Sequence, residues 1–162
     1  MYPNKTKKAM LVLDDGRSFE GELIGSEGET VGEVCFNTGI TGYQEILTDP
    51  SYCQQIVTMA SPHIGNYGVN SLDEESDKVQ VSGFILKEET IYPSNWRSEG
   101  SISNYLIKNN ITGIKNVDTR AIVSHIRDEG AMNGIISSTN HNKQSLLKKL
   151  KSVPSMDGLD LV

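Results

Sequence analysis

Val31–Asn66 reads VGEVCFNTGITGYQEILTDPSYCQQIVTMASPHIGN, and its alternation of apolar and small polar runs decides how the rest of the chain is organised. Val31–Phe36 is rich in β-branched and aromatic residues and predicts a strand. The run then breaks into Asn, Thr and Gly, makes one short helical turn, and returns at Gln55–Ala60 as a second strand before another turn-rich loop. A polar loop set between two apolar strands is a common seat for a ligand or a partner.

Upstream, Met10–Leu13 and Arg17–Ile24 flank Asp14-Asp15-Gly16, and Asp-Gly between two such runs predicts a hairpin. Downstream, Val79, Val81 and Ile85 keep a period of two, with Gly83 as a bulge or a close approach. The second half turns helical. Ile102, Tyr105 and Leu106 share one face of a helix that ends near Asn109-Asn110. Asp118 caps a helix whose apolar stripe is Ile122, Val123 and Ile126, with Gly130 just past its end. Arg120, Ser124 and Arg127 form the opposite, polar stripe. Gly134–Ser138 predicts a strand, and Asn142 caps a last helix carrying Leu146, Leu147, Leu150 and Val153. Strands first and helices after, with a strand between the last two helices, predict a layered mixed α/β domain with about three helices. The tail Pro154–Val162 has no periodicity and reads as a linker.

With 162 residues the chain suits one domain, and its net charge of −6 argues against nucleic acid as a main partner. The lysines of Lys143–Lys151 alternate with leucines, as on the wet face of a helix. Cys35 and Cys53 are too few for a disulfide framework or a zinc site. No apolar run follows the first lysines, and none approaches the roughly 18 residues of a membrane helix, so the expectation is a cytoplasmic protein with no membrane partner.

The central loop admits three readings. In one, Asn37–Tyr52 faces a substrate or a docking partner. In another, Cys53 is a nucleophile with His63 as its base and Asp49 behind it, although no local signature supports that set. In the third, the glycines and Asp49-Pro50 simply make turns. Elsewhere, Asp73, Glu74, Glu75 and Asp77 lack the spacing of a calcium loop and read as a solvated acidic stretch. His125 and His141 have no partner at ligand spacing. Arg97 and Arg120 suit a carboxylate or phosphate, or equally an internal tie to neighbouring Asn95 and Asp118. No phosphate loop or dinucleotide fingerprint is present.

The segments NTGITGYQEILTDPSY (Asn37–Tyr52), QIVTMASPHIGN (Gln55–Asn66), DEES (Asp73–Ser76), SNWR (Ser94–Arg97) and DTRAIVSHIRDEGAMNG (Asp118–Gly134) stand in an order and spacing that resembles one family. It is the small, glutamine-hydrolysing subunit of carbamoyl-phosphate synthase, in its amino-terminal domain. The resemblance covers nearly the whole chain. It implies a three-layer β/β/α domain of the swivelling type over residues 1–153, with 154–162 beginning the linker to a class I glutaminase domain. That glutaminase uses a Cys–His–Glu constellation, and neither Cys35 nor Cys53 lies in the glycine-flanked turn its nucleophile needs. No catalytic residue and no metal ligand is therefore expected in this chain.

One position transfers. The serine of the TDPSY segment, here Ser51, contributes to the L-glutamine site across the domain boundary, although the residues alone favour a turn-stabilising serine after Asp49-Pro50. Asn37–Gly42 would face the glutaminase domain and the junction with the large subunit. The resemblance implies that the large subunit receives the ammonia and uses bicarbonate, ATP and Mg²⁺ to make carbamoyl phosphate for pyrimidine and arginine synthesis, leaving this domain without a cofactor. The alternative is a free-standing module that uses the same loop to hold a small metabolite or a protein.

Overall fold

A computed structural model of the chain describes residues 7–38, 43–60, 79–87 and 102–153. The Asp14-Asp15-Gly16 turn joins β1 (Lys8–Leu13) to β2 (Ser18–Gly25) as an antiparallel hairpin. Gly16 takes φ +94° there, a left-handed conformation that costs a residue without Cβ little. The chain continues through β3 (Glu29–Asn37), α1 (Tyr43–Thr48), a single 3₁₀ turn at Pro50–Tyr52 and β4 (Gln55–Met59). Then come β5 (Gly83–Ile85), α2 (Ile102–Lys108), β6 (Thr112–Lys115), α3 (Thr119–Glu129), β7 (Met132–Ser137) and α4 (Lys143–Lys151).

The expected mixed α/β class is what the structure has, with one correction of number: the described residues hold four helices rather than about three. The strands close into a barrel in the order β1-β2-β6-β5-β4-β3-β7. Within it β3, β4, β5 and β6 run parallel, and the remaining pairings are antiparallel. Closure gives every strand a neighbour on both sides, which an open sheet cannot do. Two expectations need amendment. Of the Val79–Ile85 run only Gly83–Ile85 joins the ladder, while Val79 and Val81 are buried outside it. Strand β6, between α2 and α3, was not anticipated.

Alternate residues along each strand go to opposite sides, as the strand repeat demands. Leu11, Leu13, Val34, Ile56, Ile85, Ile114 and Ile136 fill the barrel together with Ile122 and Ile126 of α3. Outward-facing Ile24, Val57, Met59 and Phe84 pack under Leu47 of α1 and Ile102 and Leu106 of α2. Met10, Val12 and Ile135 do the same under Leu146 and Leu150 of α4. Each such fully buried side chain contributes about 1.5–3 kcal/mol. The filling is tight: a Cβ on Gly134 would stand 2.7 Å from Val34 Cγ2 and 3.3 Å from Leu13 Cδ2.

Helix α3 lies across one mouth of the barrel, because it leaves the carboxyl end of β6 and returns to the start of β7 at the same rim. Asp118 caps it by accepting from the Ala121 amide at 3.0 Å, and Gly130, at φ +91°, ends it. His125 Nε2 stands 2.5 Å from Asp15 Oδ2 and so ties the helix to the β1–β2 turn. Burial works to raise the Asp15 carboxyl, but the Arg17 amide and His125 together hold it below its ordinary 3.8. Asn142 caps α4 as expected, accepting from the Ser145 amide at 2.8 Å.

Candidate functional site

The crossover from β3 to β4 carries most of the residues the sequence singled out. Parallel neighbours cannot be joined by a tight turn, so the chain must leave the carboxyl end of β3 and come back to the amino end of β4. It does so through α1 and the 3₁₀ turn. Asp49 precedes that turn and accepts from the Ser51 amide at 2.9 Å, while the Tyr52 amide donates to the Asp49 carbonyl at 3.0 Å. Pro50 supplies the fixed φ of the first position. The turn ends at Gln54, which takes φ +62°. Farther out, Asn37 Nδ2 donates to the Tyr52 hydroxyl at 2.9 Å and links the end of β3 to the turn.

Ser51 sits at the crest of this arrangement. Its residue is exposed, its backbone is held by Asp49, and its hydroxyl makes no hydrogen bond with any described residue. The side chain is therefore presented by a fixed backbone, with its hydroxyl unengaged among the described residues. A hydroxyl in this position can both donate to and accept from a small molecule.

The nucleophile set is not brought together among the described residues. Asp49 is committed to the Ser51 amide, the Cys53 amide donates to the Pro50 carbonyl at 3.1 Å, and His63 lies outside the described residues. Cys35, on β3, donates from Sγ to Gln55 Oε1 at 3.4 Å, and Gln55 Nε2 donates to Glu33 Oε1 at 3.1 Å. Burial first, and then the Glu33 charge, push the Cys35 thiol up to about 12, which leaves it protonated and inert at neutral pH. Residues 39–42 of the Asn37–Gly42 segment, Asp73, Glu74, Glu75, Asp77, Arg97 and the tail 154–162 also lie outside the described residues. Among the described residues no group of three or more His, Cys, Asp and Glu side chains could hold a metal ion, and no helix is long and apolar enough to cross a membrane.

Two hollows were not legible in the sequence. One, of about 400 Å³, lies beside the β1–β2 ladder, lined by Lys8, Met10, Glu20, Glu22, Asn116 and His141 among others. His141 Nε2 reaches the Lys8 carbonyl at 3.2 Å there. The other, of about 340 Å³, lies on the polar stripe of α3, where Arg120, Val123, Ser124 and Arg127 meet Ala60 from the end of β4. Arg120 is not tied to Asp118, whose carboxylate serves the helix cap. Both hollows join residues far apart in the chain, so no local motif announces them.

Comparison with known proteins gives consistent matches. The family described as carbamoyl-phosphate synthase small chain, CPSase domain, matches residues 11–136. A Syntrophotalea carbinolica protein named carbamoyl phosphate synthase small chain is 57% identical over 155 residues, covering 96% of this chain and 41% of that relative. Proteins of the same name from Thermotoga maritima and Aquifex aeolicus are 53% and 51% identical, each over 156 residues and 96% of this chain. The chain spans about two fifths of the length of these relatives, 40% and 42% in the last two.

Proposed function

Because the chain belongs to the family of the carbamoyl-phosphate synthase small chain, we propose that it is that subunit's amino-terminal domain and performs no bond-breaking step of its own. It docks a glutaminase domain to the large synthetase subunit and lends Ser51 to the L-glutamine site. Residues 1–153 form the domain, in the three-layer β/β/α arrangement of swivelling domains, and 154–162 lead towards the glutaminase.

The division of labour in this reading is the family's. The glutaminase hydrolyses the glutamine amide and releases ammonia. The large subunit, with ATP and Mg²⁺, condenses it with bicarbonate to carbamoyl phosphate for pyrimidine and arginine synthesis in the cytoplasm. This domain's part is to hold the substrate amino acid still. A serine hydroxyl donates to the glutamine α-carboxylate or accepts from its α-ammonium, and neither bond touches the reacting amide. The role of Ser51 is thus orientation, which the fixed turn around it serves.

The observation that carries this reading is the exposed Ser51 hydroxyl, unengaged by any described residue, on a turn pinned by Asp49 and by the Asn37–Tyr52 bond. The test is Ser51→Ala in the complete two-subunit enzyme. Losing one substrate hydrogen bond costs on the order of 0.5–3 kcal/mol, about two- to 150-fold in glutamine kcat/KM. Synthesis from free ammonia should stay unchanged. Equal loss with both nitrogen donors would mean that Ser51 supports the fold and not the substrate.

A further inference from the structure

The chain is acidic overall, with a net charge of −6, and several of its described cations have found carboxylates. Lys7 pairs with Glu27, Lys149 with Glu29 and Lys151 with Asp14. Arg120 and Arg127 have not. Neither makes an ion pair or a hydrogen bond with a described residue, yet both line the same hollow of about 340 Å³.

Their placement follows from helix geometry. Arg120, Ser124 and Arg127 stand on successive turns of α3, so their heads lie along one strip of its surface. The Arg127 guanidinium lies over the Phe36 ring, 5.6 Å from its centroid. That contact engages the charge without using any of the N–H donors, which are the part that matches an oxyanion. Ala60 and Val123 supply small apolar walls, and among the described residues no carboxylate lines the cavity. Two like charges on one hollow repel each other unless an anion sits between them.

The hollow also occupies the rim where ligands gather in α/β proteins, beyond the carboxyl ends of parallel strands. Ala60 follows the last residue of β4, and its amide donates to the Asn37 carbonyl at the end of β3. Two residues earlier on the same face of β4, the Thr58 hydroxyl is fully buried with no hydrogen-bond partner.

We propose that this cavity is an oxyanion-binding site, in which Arg120 and Arg127, with the Ser124 hydroxyl, hold the carboxylate or phosphate group of a small ligand. Its volume lies at the lower end of ligand pockets, roughly 300–1,000 Å³, so it suits a compact acid. The site does not depend on Ser51 or on the glutamine reading.

The test is a titration of the 162-residue chain, followed by amide nuclear magnetic resonance, with inorganic phosphate and separately with succinate. Ionic strength is held constant with chloride. The expected result is saturable shifts at Ala60 and Ser124, weakened at least about tenfold in Arg120→Gln and in Arg127→Gln, with amide dispersion retained. Saturation by phosphate alone assigns a phosphate site, and by succinate alone a carboxylate site. Shifts that grow without saturating for both anions, or that saturate unchanged in both variants, overturn the proposal.

Discussion

The Asn37 carboxamide donates a 2.9 Å hydrogen bond to the Tyr52 hydroxyl, tying the end of β3 to the turn that carries Ser51. Tyr52 also packs its ring against the cluster under α1 and α2, so the bond joins a core anchor to the crossover. Tyr52→Phe keeps the ring and removes the bond. Stability should fall by about 0.5–1.5 kcal/mol, read from the urea midpoint. If the complete enzyme uses Ser51 as proposed, its KM for glutamine should rise as well. An unchanged midpoint would mean that the crossover is held without this bond.

Thr58 offers an opposite outcome. Its side chain is fully buried in the barrel and its hydroxyl has no partner among the described residues, so folding strips water from the group without replacing its hydrogen bond. Valine has nearly the same shape and suits a strand. Thr58→Val should therefore raise stability, by up to about 1 kcal/mol, in a denaturant titration. A loss would show that the hydroxyl is satisfied in solution.

Gly134 should tolerate nothing larger. A Cβ there would meet Val34 Cγ2 at 2.7 Å and Leu13 Cδ2 at 3.3 Å inside a filled barrel, and both of those side chains are held in place by their own neighbours. Gly134→Ala is expected to cost about 1–3 kcal/mol through overpacking. Gly134→Ala combined with Val34→Ala, which opens space beside the new methyl, should cost less than the sum of the single changes.

Cys35 should resist alkylation. With its thiol pushed up to about 12, only about one molecule in 10⁴ carries the thiolate at pH 8. Mass spectrometry after iodoacetamide should find Cys35 unmodified in the native protein and labelled in urea. Rapid native labelling would contradict its burial and its proximity to Glu33.

Glu29 links stability to pH. The Lys149 ammonium holds its carboxyl below the ordinary 4.5, against the opposing effect of burial and with help from the Ser137 hydroxyl at 2.7 Å. A depressed carboxylate stabilises the fold at pH values above its unfolded value and loses that contribution as pH falls through the lower folded value. The Tm difference between the parent protein and Glu29→Gln should therefore be greatest above about pH 4.5 and shrink below it. A difference that does not vary with pH would assign the effect to packing.

How far the sequence could be read depends on whether its signals are local. Asp15-Gly16, Asp118 with Gly130, and Asn142 mark turns and caps within a few residues, and the structure places a hairpin and three helix ends at them. Strand β6 has four residues with Gly113 among them, too short and too broken for a period of two to register. Barrel closure was illegible because it rests on pairings such as Leu23 with Ile114 and Leu11 with Ile136, remote in sequence and selected only in three dimensions. Ser51 stood out through family resemblance alone, since its own neighbours Asp49 and Pro50 spell a turn. Arg120 and Arg127 were legible as a polar stripe, but the hollow between them needed Ala60 from another strand.

Helix α3 closes the mouth of the barrel, and every strand of the ring has a neighbour on each side. Among the described residues no strand of the ring therefore offers a whole free edge, which is what recognition by strand addition needs. At the ring, recognition falls to side chains and connecting loops. The domain's choice of partner can therefore evolve at the rim while the ring stays constant.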